Sequence, residues 1–232
     1  MRGGTFQAML MHGGSNLAGV PPIMLMQFNG ANGDTTATDS ASSRAWTFSG
    51  GSAISTATPP PGRTSSLSLD GTGDWVQTVE SVSAFNFQAS AFTVEAWIKT
   101  TKANSAVVDC YATGDLASWQ LYIGADGKVY WYAGTTSGLV KSSGSSVTNG
   151  AWRHIAVSYS SGFMKFFIDG VFEASFPYTQ PADTFSNVNT PIAIGAQVRL
   201  RNSDYDFQGQ VGPVRITLAS LYSANFTPPT SF

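Results

Sequence analysis

Apolar and polar positions alternate with a period of two along most of the chain, the repeat of strands that bury one face. In "WRHIAVSY" Ile155, Val157 and Tyr159 alternate with His154, Ala156 and Ser158, and in "FMKFFI" Met164, Phe166 and Ile168 share a face. Asp169-Gly170 then predicts a two-residue type I′ turn into "VFEASF". A second hairpin of the same kind, "LYIGADGKVYWY", is predicted to turn at Asp126-Gly127. "FTVEAWIK" sets Phe92, Val94, Ala96 and Ile98 against Thr93, Glu95, Trp97 and Lys99, and later strands read "PIAIGA", "DFQGQVG" and "VRITLA". Helical hints are short and confined to residues 81–87 and 220–224. Short strands separated by Gly, Ser and Asn turns predict an all-β, two-sheet antiparallel sandwich or jelly roll.

Composition narrows the partners. The 232 residues suit one such domain. Charged residues make up 11% of the chain, well below the roughly 25% of an average soluble protein, so Ser, Thr, Asn and Gln must supply the polar surface. A net charge of −2 offers no positive field for phosphates, which argues against a nucleic-acid partner. Cys110 is the lone cysteine and excludes an intrachain disulfide; within "SAVVDCY" it reads as a small buried hydrophobe. Glycines and His12 interrupt the apolar stretch after Arg2, so no secretion signal is expected. No run approaches the roughly 18 apolar residues of a membrane span, and membrane insertion is not expected either.

The order of "MQFNGANGDTTATDSASSRAWTFSGGSAIST", "SSLSLDGTGDWVQT", "FTVEAWIK", "GAWRHIAVSYSSGFMKFFIDGV", "IAIGA", "FQGQVGPVRIT" and "YSANFTPPT" resembles the laminin-G-like, concanavalin A-like lectin/glucanase jelly roll. It is similar in particular to the version found in bacteriophage structural proteins. The resemblance covers residues 23 to 229 and divides the chain into an N-terminal Gly/Met-rich arm, residues 1–22, and a jelly-roll domain, residues 23–232. It implies that Trp152, His154 and Asp169-Gly170 are scaffold. This fold serves lectins, hydrolases and assembly proteins alike, so function must be argued from sites.

Retaining glycosidases need two carboxylates about 5–5.5 Å apart. The three glutamates, Glu80, Glu95 and Glu173, show no such spacing, and Glu95 reads as an exposed or hydrogen-bonded strand residue. His154 lacks a nucleophile elbow and His12 lies in the Gly-rich leader, so no catalytic residue is expected. Asp70 and Asp74 in "LDGTGDW" are the candidate calcium ligands, calcium being the one cofactor left open. The resemblance implies an acidic partner late in the chain, but Gly212 and Pro213 stand there, and the turn reads more readily as one held by Asx hydrogen bonds. Trp119, Tyr130, Trp131, Tyr132 and Trp75 are the candidate sugar platforms, with Trp97 and Trp152 assigned to packing.

Residues 3–33 contain no Asp, Glu, Lys or Arg, and five of the six methionines fall within the first 26 residues. Such a leader is too apolar for a solvated tail. Phe6, Met9, Leu10, Met11 and Leu17 are therefore expected to form an assembly interface, while residues 17–26 are equally suited to folding back over the sandwich. The combined expectation is a non-enzymatic structural component of a phage virion, exposed on the particle surface as a capsid decoration or fibre adhesin. It would be anchored to other virion proteins by the arm, in a homo-oligomer or multi-copy assembly, with a host-surface glycan as a further partner. The alternatives are a carbohydrate-binding lectin module and, more distantly, a glycoside hydrolase.

Overall fold

The computed structural model of the protein describes residues 19–79, 83–85, 87, 90–110, 119–133, 140–141, 144–178, 191–197 and 202–232. Among them, fifteen strands form two antiparallel sheets, a jelly-roll β-sandwich. In chain order they are β1 (Met24–Met26), β2 (Trp46–Ser49), β3 (Ala53–Ser55), β4 (Ser66–Asp70), β5 (Trp75–Thr78), β6 (Phe92–Lys99), β7 (Ser105–Cys110) and β8 (Trp119–Ile123). There follow β9 (Val129–Ala133), β10 (Val140–Lys141), β11 (Trp152–Ser160), β12 (Phe163–Ile168), β13 (Val171–Pro177), β14 (Ala193–Ile194) and β15 (Gln208–Thr217). Sheet A runs β13-β12-β11-β6-β15-β4-β3, with β1 also paired to β15; sheet B runs β10-β9-β8-β7-β14-β5-β2.

Strand register turns the alternation into rows. In sheet B, Trp131, Leu121, Val108, Ile194, Val76 and Phe48 are successive cross-strand partners. In sheet A the matching inward row is Ala174, Phe166, Val157, Val94, Ile216 and Met24. These rows form the core between the sheets. Aromatic rings join them: Phe92 of sheet A lies 5.2 Å from Trp131 of sheet B, and Trp131 stacks on Trp119 at 5.0 Å. Both tryptophans are fully buried, which removes them from the candidate sugar platforms. Their large rings fill intersheet space at inward positions of β8 and β9.

The predicted turns divide. Asp169 (φ 51°) and Gly170 (φ 75°) are both left-handed, as a type I′ turn requires. At Asp126-Gly127 only Gly127 has positive φ, and Gly124 N–H donates to Lys128 O across three intervening residues. That connection is a longer loop ending in a left-handed glycine, not the two-residue turn expected. The first helical hint is a single 3-10 turn, Ser83–Phe85; the second, residues 220–224, is irregular.

Two further departures shape the surfaces. β15 switches partners along one edge, pairing β4 through Gln208–Val211 and β1 through Val214–Ile216. The break is a bulge in which Gly212 and Pro213 together face Trp97 of β6. A side chain at Gly212 would collide with Pro60 and Trp97, and Pro213 lacks the N–H a ladder would need. Gly212-Pro213 is therefore a structural device of the sheet. β1 lies within the leader, and its Met24 and Met26 are fully buried, so the end of the leader packs on its own sandwich. Phe6, Met9, Leu10, Met11 and Leu17 lie outside the described residues.

Candidate functional site

The outer face of sheet A carries the row Phe167, Ala156, Glu95, Arg215 and Leu25. Alternation assigns it to solvent, yet Glu95 and His154 are fully buried because residues 218–232 return across it. Glu95 Oε1 accepts from Arg215 Nε at 2.6 Å, and Oε2 accepts from the Tyr222 hydroxyl at 2.8 Å and lies 3.0 Å from His154 Nε2. Burial alone would raise the Glu95 pKa, but the His154 hydrogen bond and charge, the Arg215 charge and the Tyr222 hydrogen bond together hold it below the usual value. Phe226 and Trp97 wall the His154 ring at 5.7 and 5.3 Å. This carboxylate is sealed and fully engaged, and its geometry is that of a clamp for the C-terminal segment. Glu80 lies outside the described residues, and Glu173 sits at the β13 bulge against Gly144.

Asp70 and Asp74 do not fit a calcium site. Asp74 is buried, and its two oxygens take backbone N–H groups, Gly51 on Oδ1 and Asp70 on Oδ2 at 2.9 Å. Asp70 Oδ1 accepts from Thr72 N–H at 2.7 Å, closing an Asx turn. Asp206 Oδ2 takes Gly73 N–H of the same loop at 2.8 Å. Each carboxylate thus replaces a missing backbone partner in a glycine-rich turn, and among the described residues no group of three His, Cys, Asp or Glu converges on a metal position. Cys110 is buried, and burial together with Asp109 pushes its thiol up to about 12, which leaves it an inert packing group.

The outer face of sheet B is different. One residue along from its apolar row, the cross-strand partners are Tyr132, Gln120, Asp109, Ala193, Gln77 and Thr47. Gln120 Nε2 donates to Asp109 Oδ1 at 3.0 Å, and Gln197 Nε2 donates to Gln120 Oε1 at 3.1 Å, so the middle of the row is a buried amide–carboxylate ladder. Beside it the next pair on β8 and β9, Tyr122 and Tyr130, places rings 5.2 Å apart, and Tyr205 meets Tyr122 edge-on at 6.4 Å. Tyr130 OH donates to Asp126 Oδ2 at 3.1 Å. All four tyrosines, Tyr122, Tyr130, Tyr132 and Tyr205, are half-buried. On the opposite flank Trp75, also half-buried, donates from Nε1 to Gln77 Oε1 at 3.2 Å.

Of the residues singled out from the sequence as sugar platforms, Tyr130, Tyr132 and Trp75 therefore share this face, whereas Trp119 and Trp131 point the other way. Sequence reasoning missed Tyr122, Tyr205, Gln120, Asp109, Gln197 and Gln77. The signal for Tyr122 and Gln120 was present, since both alternate with the core residues Trp119, Leu121 and Ile123. Nothing local marks Gln197, in the segment after β14, or Tyr205, which ends a short 3-10 turn, Ser203–Tyr205.

A laminin G family model, described as the concanavalin A-like lectin/glucanases superfamily, matches residues 70–224. No curated protein matches the chain. Among solved structures the chain is similar to domain 4 of AbnA, an extracellular arabinanase from Geobacillus stearothermophilus, in complex with arabinotriose. There the identity is 18% and the TM-score 0.64, over 88% of this chain and 95% of that one. It is also similar to the binding domain of Paraclostridial Mosquitocidal Protein 1, at 14% identity and a TM-score of 0.65, over 87% of this chain and 50% of that one. The Ruminococcus gnavus IT-sialidase CBM40 bound to alpha2,3 sialyllactose matches at 18% identity and a TM-score of 0.50, over 63% of this chain and 88% of that one. At these identities the structures share the fold alone. With the family model covering well over half its length, the chain belongs to the concanavalin A-like lectin/glucanase superfamily.

Proposed function

We propose that the protein is a non-enzymatic recognition module that binds glycan on the outer face of sheet B. The observation that carries this reading is the group of half-buried tyrosines, Tyr122, Tyr130, Tyr132 and Tyr205, set beside the buried ladder of Asp109, Gln120 and Gln197 that braces the sheet. Sugars offer hydroxyls that both donate and accept, together with apolar ring faces. Tyrosine hydroxyls, which both donate and accept, suit the former, and the tyrosine rings suit the latter. A mostly apolar wall with a few placed polar groups is the usual make-up of a small-ligand site. The fold relatives solved with arabinotriose and with sialyllactose support the same class of ligand. Glycan-array screening followed by calorimetry tests it: Tyr130→Ala and Tyr132→Ala should weaken binding about tenfold or more while melting temperature is kept. Unchanged affinity in both variants, or no bound glycan, sinks the reading.

A finer reading places this module on the surface of a phage particle, anchored by the arm to other virion proteins in multiple copies. It is supported by the sequence resemblance to phage structural proteins and by the charge-free, Met-rich leader. Mass spectrometry of purified particles tests it directly, and consistent absence of the chain rejects it.

A further inference from the structure

On the opposite sheet, the C-terminal segment crosses Phe167, while Val171 and Phe172 of the β12–β13 hairpin stay exposed. Phe226 and Tyr222 pack on Phe167 at 5.4 and 6.0 Å. Beyond them opens a groove of about 580 Å³ lined by Lys165, Phe172, Ser223, Ala224 and Asn225. Phe172 is 42% exposed, with its ring braced edge-on against Phe167 at 5.8 Å. Held by Phe167 from one side, the ring presents a flat apolar surface on the other.

The polar groups of the groove are biased toward donors. Asn225 Oδ1 accepts from Phe172 N–H at 2.8 Å, which fixes the amide orientation and leaves its NH₂ group on the other side. The Lys165 ammonium reaches Ser223 O only at 3.4 Å and has no carboxylate partner among the described residues. Among the described residues no Asp or Glu lines the groove, and Glu173, next to Phe172, has its carboxylate against Gly144. A cation and an amide NH₂ beside an apolar plate match a ligand that carries a carboxylate on a ring with an apolar face.

We infer that this groove is a second binding site, specific for a carboxylated sugar such as a hexuronate unit of an acidic polysaccharide, with the carboxylate on Lys165 and Asn225 and the ring on Phe172. It goes beyond the sheet B site and uses none of its residues. The two sites would let one domain engage a glycan through two separate faces.

NMR amide shift mapping of the full chain, titrated with methyl glucuronide, methyl glucoside and acetate, tests it. Methyl glucuronide should shift the amides of Lys165, Phe172, Ser223 and Asn225, and the glucoside and acetate should shift them far less. Lys165→Gln should weaken glucuronide binding about tenfold, as loss of a charged hydrogen bond does, and binding to the unchanged protein should weaken with salt. Phe172→Ala, at an exposed position, should weaken it without lowering the melting temperature. Tyr130→Ala should leave the groove signals intact, which separates this site from the tyrosine face. Equal response to the glucoside or to acetate, absence of groove shifts, or an unaltered Lys165→Gln affinity each overturns the inference.

Discussion

Arg215 holds Glu95 at 2.6 Å on a face that alternation along β6 assigns to water, and Tyr222 closes the pair from above. The two charges are side by side in register, β15 against β6, so the ion pair is built by strand pairing and sealed by the C-terminal segment.

Removing one partner of this pair leaves the other charge without its counter-ion. Glu95→Ala should destabilise by about 3–5 kcal/mol in chemical denaturation. A loss under about 1 kcal/mol would show that the clamp does not hold the C-terminal segment.

The same carboxylate predicts an acid limit. Its folded pKa lies below the ordinary value of 4.5, so its contribution is complete above that pH and is lost as pH falls through the lowered folded value. The melting temperature should therefore decline on acidification below about pH 4.5, and Glu95→Gln should flatten that decline. An identical slope in the variant assigns the acid sensitivity to other groups.

Phe166 and Trp131 belong to facing inward rows, and replacing either with Ala should cost about 3–5 kcal/mol. Tyr132 is one residue from Trp131 on the other side of the sheet, and Tyr132→Ala should cost less than about 1 kcal/mol. Reversal of that order in a denaturant series would mean that β9 pairs in the wrong register.

Asp74 accepts from two backbone N–H groups, those of Gly51 and Asp70. Asp74→Ala should lower stability by about 1–3 kcal/mol, since it strands buried donors. Adding a chelator to the unaltered protein should leave the melting curve unchanged, because a native-state ligand would otherwise stabilise by mass action. A drop in melting temperature with chelator returns Asp70 and Asp74 to the list of metal ligands.

Deleting residues 2–20 should leave thermal stability nearly unchanged, because the sandwich takes up the chain at β1, where Met24–Met26 pair with β15. The proposed anchoring role is read separately, as loss of incorporation into particles or oligomers. Normal assembly by the truncated chain refutes the anchor.

Period-two alternation was enough to locate β6, β11, β12 and β13, and the turn chemistry of Asp169-Gly170 was legible because a two-residue connection dictates its own dihedrals. The inward assignment of Val94, Val157 and Phe166 follows from the same local rule, since successive side chains on a strand must face opposite ways. Local rules say which residues share a face. They do not say what covers that face. Trp131 and Tyr132 are both large aromatics in one strand, and only the second sheet, packed against one side, makes the first core and the second surface. Glu95 became a sealed ion pair because a segment more than a hundred residues away returns over it. Gln120, Asp109 and Gln197 form one ladder because β8, β7 and the segment after β14 are brought side by side by sheet register, a contact that no spacing along the chain encodes. Alternation is a property of neighbours in sequence, whereas burial and site assembly are properties of neighbours in space.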